Sequence, residues 1–316
     1  MERKWWTLVV VCVATFMLLL DITIVNVALP KIAADLHSSF SEIQWVIDAY
    51  ALTLAALLLT TGALADLLGR KLVFAIGLGL FSVTSLLCGL APSSTFLILA
   101  RGGQGIGGAI MFSTSLALLA QEFHGRERGT AFGAWGATIA ASAAVGPLLG
   151  GALTEAFGWS SIFFINVPVG LAAVALTITK VNESRNPDGT RLDWLGTVTF
   201  TASLFLLVFA VIRTSEKGWG NSEVLVLLAV SAVLLALFIV SQFVQANAMF
   251  DVSLFRKPTF TGASVAAFTL SAGMFAMFLY LTLYLQTILG FSPLQTGLRF
   301  LPFTVISFFV AAAAGK

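Results

Sequence analysis

Apolar runs of about twenty residues, each closed off by a charge, a proline or a glycine, recur along this 316-residue chain and leave it one kind of fold. A bilayer core about 30 Å thick takes roughly 20 apolar residues per helix, and the runs at approximately 5–29, 43–65, 72–91, 95–119, 131–153, 161–179, 194–213, 223–244, 260–286 and 298–315 each meet that requirement. Charged residues make up 10% of the chain, against about 25% in soluble domains, and mean hydropathy is +0.97. The expected class is an all-α polytopic membrane protein. The opening Met1-Glu2-Arg3-Lys4-Trp5-Trp6 has the charged head of a signal peptide, but the apolar run after it passes twenty residues, contains Asp21 and meets no small-residue cleavage site. It reads as a first span that stays in the protein.

Seventeen Lys and Arg against fifteen Asp and Glu give a net charge of only +2, scattered in ones and twos rather than drawn into a stripe that tracks phosphates. Nucleic acid is excluded as a partner. With the N-terminus cytoplasmic, inner segments hold Arg3, Lys4, Arg70, Lys71, Arg126, Arg128, Lys180, Arg185, Arg191, Arg256, Lys257 and Lys316; outer segments hold Lys31, Arg213, Lys217 and Arg299. That twelve-to-four bias predicts a multi-pass protein of the cell (plasma) membrane with its N-terminus inside. Cys12 and Cys88 sit in separate apolar runs at different depths and are expected as free thiols. His37 and His124, the only histidines, fall in connections on opposite sides, and no Cys/His cluster, H-E-x-x-H or serine-elbow motif occurs. An enzyme, a metal site and a cofactor are therefore not expected.

Two residues stand where a bilayer penalises them. Asp21 and Arg101 each cost roughly 2.5–3.5 kcal/mol at a helix centre, and both lie inside apolar runs. Span one runs outward and places Asp21 roughly 24 Å from Trp5; span four runs inward and places Arg101 roughly 8 Å from Phe96. In a layer of about 30 Å the two depths agree. They pair or share a cavity, or else Arg101 snorkels outward while Asp21 bonds to Thr23 or a neighbouring helix. Asp48, in Gln44-Trp45-Val46-Ile47-Asp48-Ala49-Tyr50, reads as a vestibule carboxylate nearer the outer interface.

Glycines form a second pattern. Arg101-Gly102-Gly103-Gln104-Gly105-Ile106-Gly107-Gly108, together with Gly133, Gly136 and Gly146-Pro147-Leu148-Leu149-Gly150-Gly151, supplies small-residue faces on which backbones touch; Pro147 also removes a mid-span hydrogen bond. Close packing and a bending or sliding helix pair are both consistent with this. Between spans two and three, Gly62 through Lys71 contains Asp66, which is expected either to accept from backbone donors at the start of span three or to meet Arg70, and Gly69, which permits the turn. The longest hydrophilic stretch, Lys180–Asp193, carries an Asn-Pro-Asp-Gly turn signal and divides six spans from the rest.

Placed in order, these motifs resemble the major facilitator superfamily, in particular its 14-span drug:proton antiporters. Leu20-Asp21-Ile22-Thr23-Ile24-Val25-Asn26-Val27-Ala28-Leu29-Pro30 resembles that subfamily's first-span signature, and Gly62–Lys71 the superfamily's cytoplasmic turn, with Leu67 where a basic residue is common. Leu99-Ala100-Arg101-Gly102-Gly103-Gln104-Gly105 resembles the fourth-span motif associated with proton coupling. Ser142 through Gly151 is similar to the antiporter motif of span five, with Ser142 replacing its first glycine. Trp159 to Gly170 and Tyr284 to Gly297 also match the subfamily's habits.

The resemblance implies a six-helix N-terminal bundle over 1–180 made of two inverted three-helix repeats. After it come a cytoplasmic linker at 181–193, two additional helices over 194–244, and an incomplete C-terminal bundle over 245–316. The pattern calls for about four further spans, so the chain is expected to be C-terminally truncated. The implied function is proton-coupled antiport, an efflux of amphipathic or cationic small molecules, by a monomer whose partners are the substrate, protons and the lipid bilayer. Asp21 and Arg101 are the expected proton-coupling pair. Asn26, Gln104, Trp135, Asn166, Tyr280 and Tyr284, with Phe164, are expected to line the substrate cavity, where apolar area is combined with a few polar groups. Gly62, Asp66, Gly69, Arg70, Gly105, Gly146, Pro147, Gly150 and Gly151 are the expected conformational positions. A solute symporter on the same fold and a non-transporting remnant are the alternatives.

Overall fold

The computed structural model describes residues 2–185, 193–245, 248 and 250–314; the Asn186-Pro187-Asp188-Gly189 turn, Arg191 and Lys316 lie outside the described residues. Helices account for nearly all of the rest: α1 (Arg3–Asp35), α2 (Phe40–Leu68), α3 (Arg70–Gly89), α4 (Ser94–Glu122), α5 (Gly125–Phe157), α6 (Ser161–Phe164), α7 (Asn166–Lys180), α8 (Trp194–Lys217), α9 (Ser222–Val244), α10 (Pro258–Leu283) and α11 (Pro293–Ala314). Seven helical stretches among the described residues are long and apolar enough to cross a membrane, or eight if the two halves of α5 count as one span. The molecule is an all-helical polytopic membrane protein.

Helix ends follow local chemistry. Ser39 and Glu42 form a reciprocal capping box at the start of α2, with the Glu42 amide donating to Ser39 Oγ and the Ser39 amide to Glu42 Oε2 at 2.8 Å. Ser93 and Asn221 cap α4 and α9 in the same sense, each accepting a backbone N–H of the first turn. The run at 161–179 is expected to form one helix, and Ser161–Lys180 does form one membrane-crossing stretch, interrupted at Ile165, which keeps helical dihedrals, between α6 and α7. Pro168 explains the break: its ring has no N–H for the carbonyl of Phe164, so the helix restarts at Asn166 with the proline in its first turn. Likewise α5 bends by 41° between Gly125–Ala143 and Val145–Phe157. Pro147 is four residues beyond Ala143, whose carbonyl its ring displaces.

Two compact units result, Met1–Thr190 with Gly297–Lys316, and Arg191–Thr296. In the first, α4 packs between α2 and α3, and α1 lies along α5. Glycines bring these backbones close: a Cβ on Gly107 would stand 2.7 Å from the Phe81 amide nitrogen, and one on Gly150 would stand 2.9 Å from the Ile24 carbonyl oxygen. Around them the apolar interior forms two large clusters, one including Val11, Leu18, Phe74, Phe81 and Met111, the other Ile24, Val46, Cys88, Leu97 and Phe163, and a small third of Ala65, Val73 and Ile110. In the second unit α8 and α9 cross through a reciprocal serine pair, with Ser203 Oγ donating to the Ser231 carbonyl at 2.9 Å and Ser231 Oγ to the Ser203 carbonyl at 2.8 Å.

Candidate functional site

Between the two large apolar clusters of the first unit lies a polar layer. On α1 it is Asp21, flanked by Leu18 and Ile24; on α3 it is Ser85, between Phe81 and Cys88; on α4 it is Arg101 and Gln104, between Leu97 and Met111. The i, i+3 spacing of Arg101 and Gln104 sets both on one face of α4. Asp21 and Arg101 form a direct ion pair, with side chains 0% and 1% exposed. Asp21 uses its other oxygen to accept from Gln104 Nε2 at 2.9 Å and Asn166 Nδ2 at 3.2 Å.

Arg101 has further partners of its own. Its Nε donates to the Val46 carbonyl on α2 at 3.1 Å and its Nη1 to Gln104 Oε1 at 2.7 Å, while its guanidinium lies 4.3 Å from the Tyr50 ring centroid and 5.9 Å from that of Phe163. Tyr50 in turn donates its hydroxyl to the Leu18 carbonyl at 3.2 Å. Ser85 Oγ closes the layer, accepting from Gln104 Nε2 at 3.2 Å and Asn166 Nδ2 at 3.0 Å and donating to the Phe163 carbonyl at 2.9 Å. Six elements, α1, α2, α3, α4, α6 and α7, thus meet on one acid and one base. The pair sums to zero charge, and each ion is hydrogen-bonded beyond the other, which is what keeps a charged pair tolerable away from water.

The residues expected to line the cavity have different local surroundings. Gln104 and Asn166, expected on a cavity wall, are 0% and 2% exposed. Their amides are bound inside the layer just described, which leaves them little to offer a solute. Trp135 is half-buried, donates Nε1 to Thr15 Oγ1 at 3.0 Å and packs on Phe112 at 5.6 Å, again as part of a packed core. Phe164 rests against Gly89. Asn26, five residues past Asp21 and on another face of α1, donates Nδ2 to the Ile22 carbonyl at 3.1 Å; its buried Oδ1 accepts nothing among the described residues. Tyr280 and Tyr284 belong to the second unit and are 72% and 51% exposed. Nothing in residue type marks Ser85 or Tyr50, which are ordinary residues at ordinary helical positions. Only their register with Arg101 and Gln104 makes them part of the site.

At the α2–α3 turn Gly69 adopts φ +115°, and Arg70 turns back on Asp66 with Nε and Nη2 at 2.9 and 2.8 Å, its Nη1 reaching Gln121 Oε1 on α4 at 3.0 Å. Of the two expectations for Asp66, the pairing with Arg70 is the one present. The free amides of α3 are met instead by Glu183, beyond the end of α7: its carboxylate accepts from the Lys71 amide at 3.0 Å and the Leu72 amide at 3.1 Å, and would meet any Cβ on Gly69. A first turn that reads Gly-Arg-Lys has no acceptor of its own, and that lack was the available clue. Gly62 makes an ordinary contact with Ser113, and Gly105 sits against Tyr50 and Thr53 of α2. On α5 the bend region is held from two sides: a Cβ on Gly146 would be 2.7 Å from Thr23 Cβ, and one on Gly297 of α11 would be 2.9 Å from the Leu148 amide nitrogen. Gly151, beside Gly150, is buried.

Comparison with known proteins agrees with this architecture. The sequence profile described as Major Facilitator Superfamily matches residues 11–316. The chain is 38% identical over 310 residues to the multidrug resistance protein Stp of Mycobacterium tuberculosis, covering 98% of this chain and 58% of that protein. It is 38% identical over 289 residues to the methylenomycin A resistance protein of Streptomyces coelicolor, covering 90% of this chain and 60% of the relative. The chain therefore spans about three-fifths of the length of these relatives. Among solved structures, that of the human organic anion transporter MFSD10 superposes with a TM-score of 0.58 at 15% identity, covering 100% of this chain and 73% of the other, which is a likeness of fold.

Proposed function

Because the chain belongs to the Major Facilitator Superfamily, we propose that it exports amphipathic or cationic small molecules in exchange for protons, as a monomer in the plasma membrane with its N-terminus cytoplasmic. The observation that carries the reading is the Asp21–Arg101 pair, an ionised couple sealed between two apolar clusters. Intramembrane ions of this kind mark substrate or proton pathways by default.

The layer suits a proton carrier in a particular way. When Asp21 takes a proton, Arg101 loses its counter-ion but keeps the Val46 carbonyl, Gln104 Oε1 and the Tyr50 face. The cation is then still held, and the freed carboxyl keeps Gln104 and Asn166 as donors to its second oxygen. Two arrangements of one site, differing by a proton, are what alternating access requires of its trigger. The Thr23–Ser142 contact, where Thr23 Oγ1 donates to the Ser142 carbonyl at 3.4 Å just before the α5 bend, links the helix that carries Asp21 to the helix that is kinked. The names of the relatives, resistance proteins against drugs and antibiotics, support export over uptake.

The test uses inside-out membrane vesicles carrying the full chain and a fluorescent cation such as ethidium. An acid-inside pH gradient is expected to drive dye accumulation, and Asp21→Asn is expected to abolish that accumulation while protein remains in the membrane. Accumulation undiminished in Asp21→Asn refutes the carrier role, and dye movement down the proton gradient in the same direction identifies a symporter.

A further inference from the structure

Where the start of α1 meets the end of α7, cations gather that no carboxylate answers. Arg3 and Trp6, three residues apart on α1, both reach that end: Arg3 Nη1 donates to Asn182 Oδ1 at 3.0 Å, and Lys180 Nζ stands 6.0 Å from the Trp6 ring centroid. A third cation comes from α3, where Lys71 Nζ donates to the Ile178 carbonyl at 2.8 Å. Arg3, Lys71 and Lys180 thus converge on residues 178–182, the last turn of α7 and the residues just after it. Among the described residues none of the three joins an ion pair.

Lys4 is the contrast: one position from Arg3, it is neutralised by Glu2 and Glu127, each at 3.0 Å. The acids bonded into the cation group, Glu122 and Glu183, are taken by neutral donors. Glu122 accepts from Asn182 Nδ2 at 3.1 Å, and Glu183 from the Lys71 and Leu72 amides. Positive charge is therefore left in excess. From Trp6 toward the membrane interior, α1 continues with Val9 and Val13, both exposed, at the i, i+3 and i+7 spacing of one helix stripe. A ligand that meets both features is an amphiphile, with an anion at the cations and an apolar chain on the stripe. A soluble phosphate would leave the stripe bare, and a neutral lipid would leave the charge unanswered.

We propose that this seam is a binding site for an anionic phospholipid of the surrounding bilayer, with the headgroup phosphate held by Arg3 and Lys180 and an acyl chain lying along α1 over Val9 and Val13. Trp6 joins the two halves of the ligand, since an interfacial indole has an apolar body at headgroup level and here also positions the Lys180 ammonium. Basic groups between spans at the membrane surface favour anionic headgroups by about fivefold in affinity for each Lys or Arg. The site is independent of what the chain transports.

The probes are phosphatidylglycerol and the zwitterionic phosphatidylcholine of the same acyl chains, titrated onto the full 316-residue chain in detergent. Native mass spectrometry reads the dissociation constant of the first lipid bound. Phosphatidylglycerol is expected to bind the parent at least about tenfold more tightly than phosphatidylcholine. Lys180→Gln is expected to weaken phosphatidylglycerol about fivefold, and Arg3→Gln with Lys180→Gln about 25-fold, with phosphatidylcholine unchanged in both. Lys217→Gln, which removes a cation already paired with Glu223 in the second unit, is expected to change neither lipid. The assignment is overturned if the parent binds the two lipids alike, if the double variant keeps the parent's preference, or if it loses both lipids together. Displacement of phosphatidylglycerol by inorganic phosphate, but not by chloride at equal ionic strength, would assign the cations to free phosphate and overturn the lipid.

Discussion

At the scale of single residues, one hydroxyl shows how the buried layer is held together. Ser85 Oγ serves two amide donors and donates to one carbonyl, and all of these groups are sealed from water. Alanine at this position would leave Gln104 Nε2 and Asn166 Nδ2 each one acceptor short, although both retain Asp21. An unmet buried donor costs about 1–3 kcal/mol. Ser85→Ala is therefore expected to destabilise the first unit by about that much, read as a lowered thermal midpoint in detergent, whereas an exposed α3 substitution such as Val83→Ala stays within about 0.5 kcal/mol. The contrast with Asp21 and Arg101 explains what a sequence discloses about such a site. A charge in an apolar run announces itself because the bilayer penalises it, and matched depths then predict the pair that the structure contains. Ser85, Tyr50 and the carbonyls of Val46 and Phe163 carry no such penalty. They are recognisable only once the helices are set side by side, because their role comes from register and not from residue type.

At the scale of helices, the bilayer makes lengths legible and leaves interruptions to local chemistry. All ten apolar runs correspond to helical segments, since each had to satisfy its backbone internally over a fixed thickness. The stretch Ser161–Lys180 is one membrane-crossing segment, as its hydropathy predicts, and its interruption at Ile165 is the local effect of Pro168, as the α5 bend is of Pro147. Glu183 shows a different limit. Its partners, the amides of Lys71 and Leu72, are more than a hundred residues away, and nothing near it in the sequence names them. An anion at a helix N-terminus contributes about 0.3–2 kcal/mol through the unpaired amides and the helix dipole. Glu183→Ala is expected to loosen the first turn of α3 without unfolding the bundle. Amide hydrogen exchange at Lys71 and Leu72 should quicken several-fold, on the order of 10-fold at most, while exchange at Phe81 and Leu78 in the middle of α3 stays as slow as before. Equal exchange at Lys71 with and without the carboxylate would show that the contact does not hold the turn.

At the scale of the whole molecule, the charges at the two ends of the helices bear on orientation. The ends grouped with the N-terminus carry Arg70 on Gln121, Lys4 on Glu127 and the Glu183 contact, so that side is knitted by long-range polar links between α1, α3, α4, α5 and the segment after α7. At the other ends of its helices the first unit carries Lys31 on Asp35, and within the second unit Arg213 pairs with Glu216 and Lys217 with Glu223, all pairs close in sequence. Local pairs of this kind contribute little to stability, and the orientation rule counts Lys and Arg regardless of acidic neighbours, so the twelve-to-four bias stands as the argument for an N-terminus inside. Two exposed positions test it, Ala34 near the end of α1 and His124 just before α5. In a background with Cys12 and Cys88 replaced, Ala34→Cys is expected to react with a membrane-impermeant maleimide on intact cells, and His124→Cys only after permeabilisation. The reverse pattern would invert the topology. It would also put Asp21, Arg101 and Asp48 in the inner half of the membrane, so that protons would reach the pair from the cytoplasm through the shorter path.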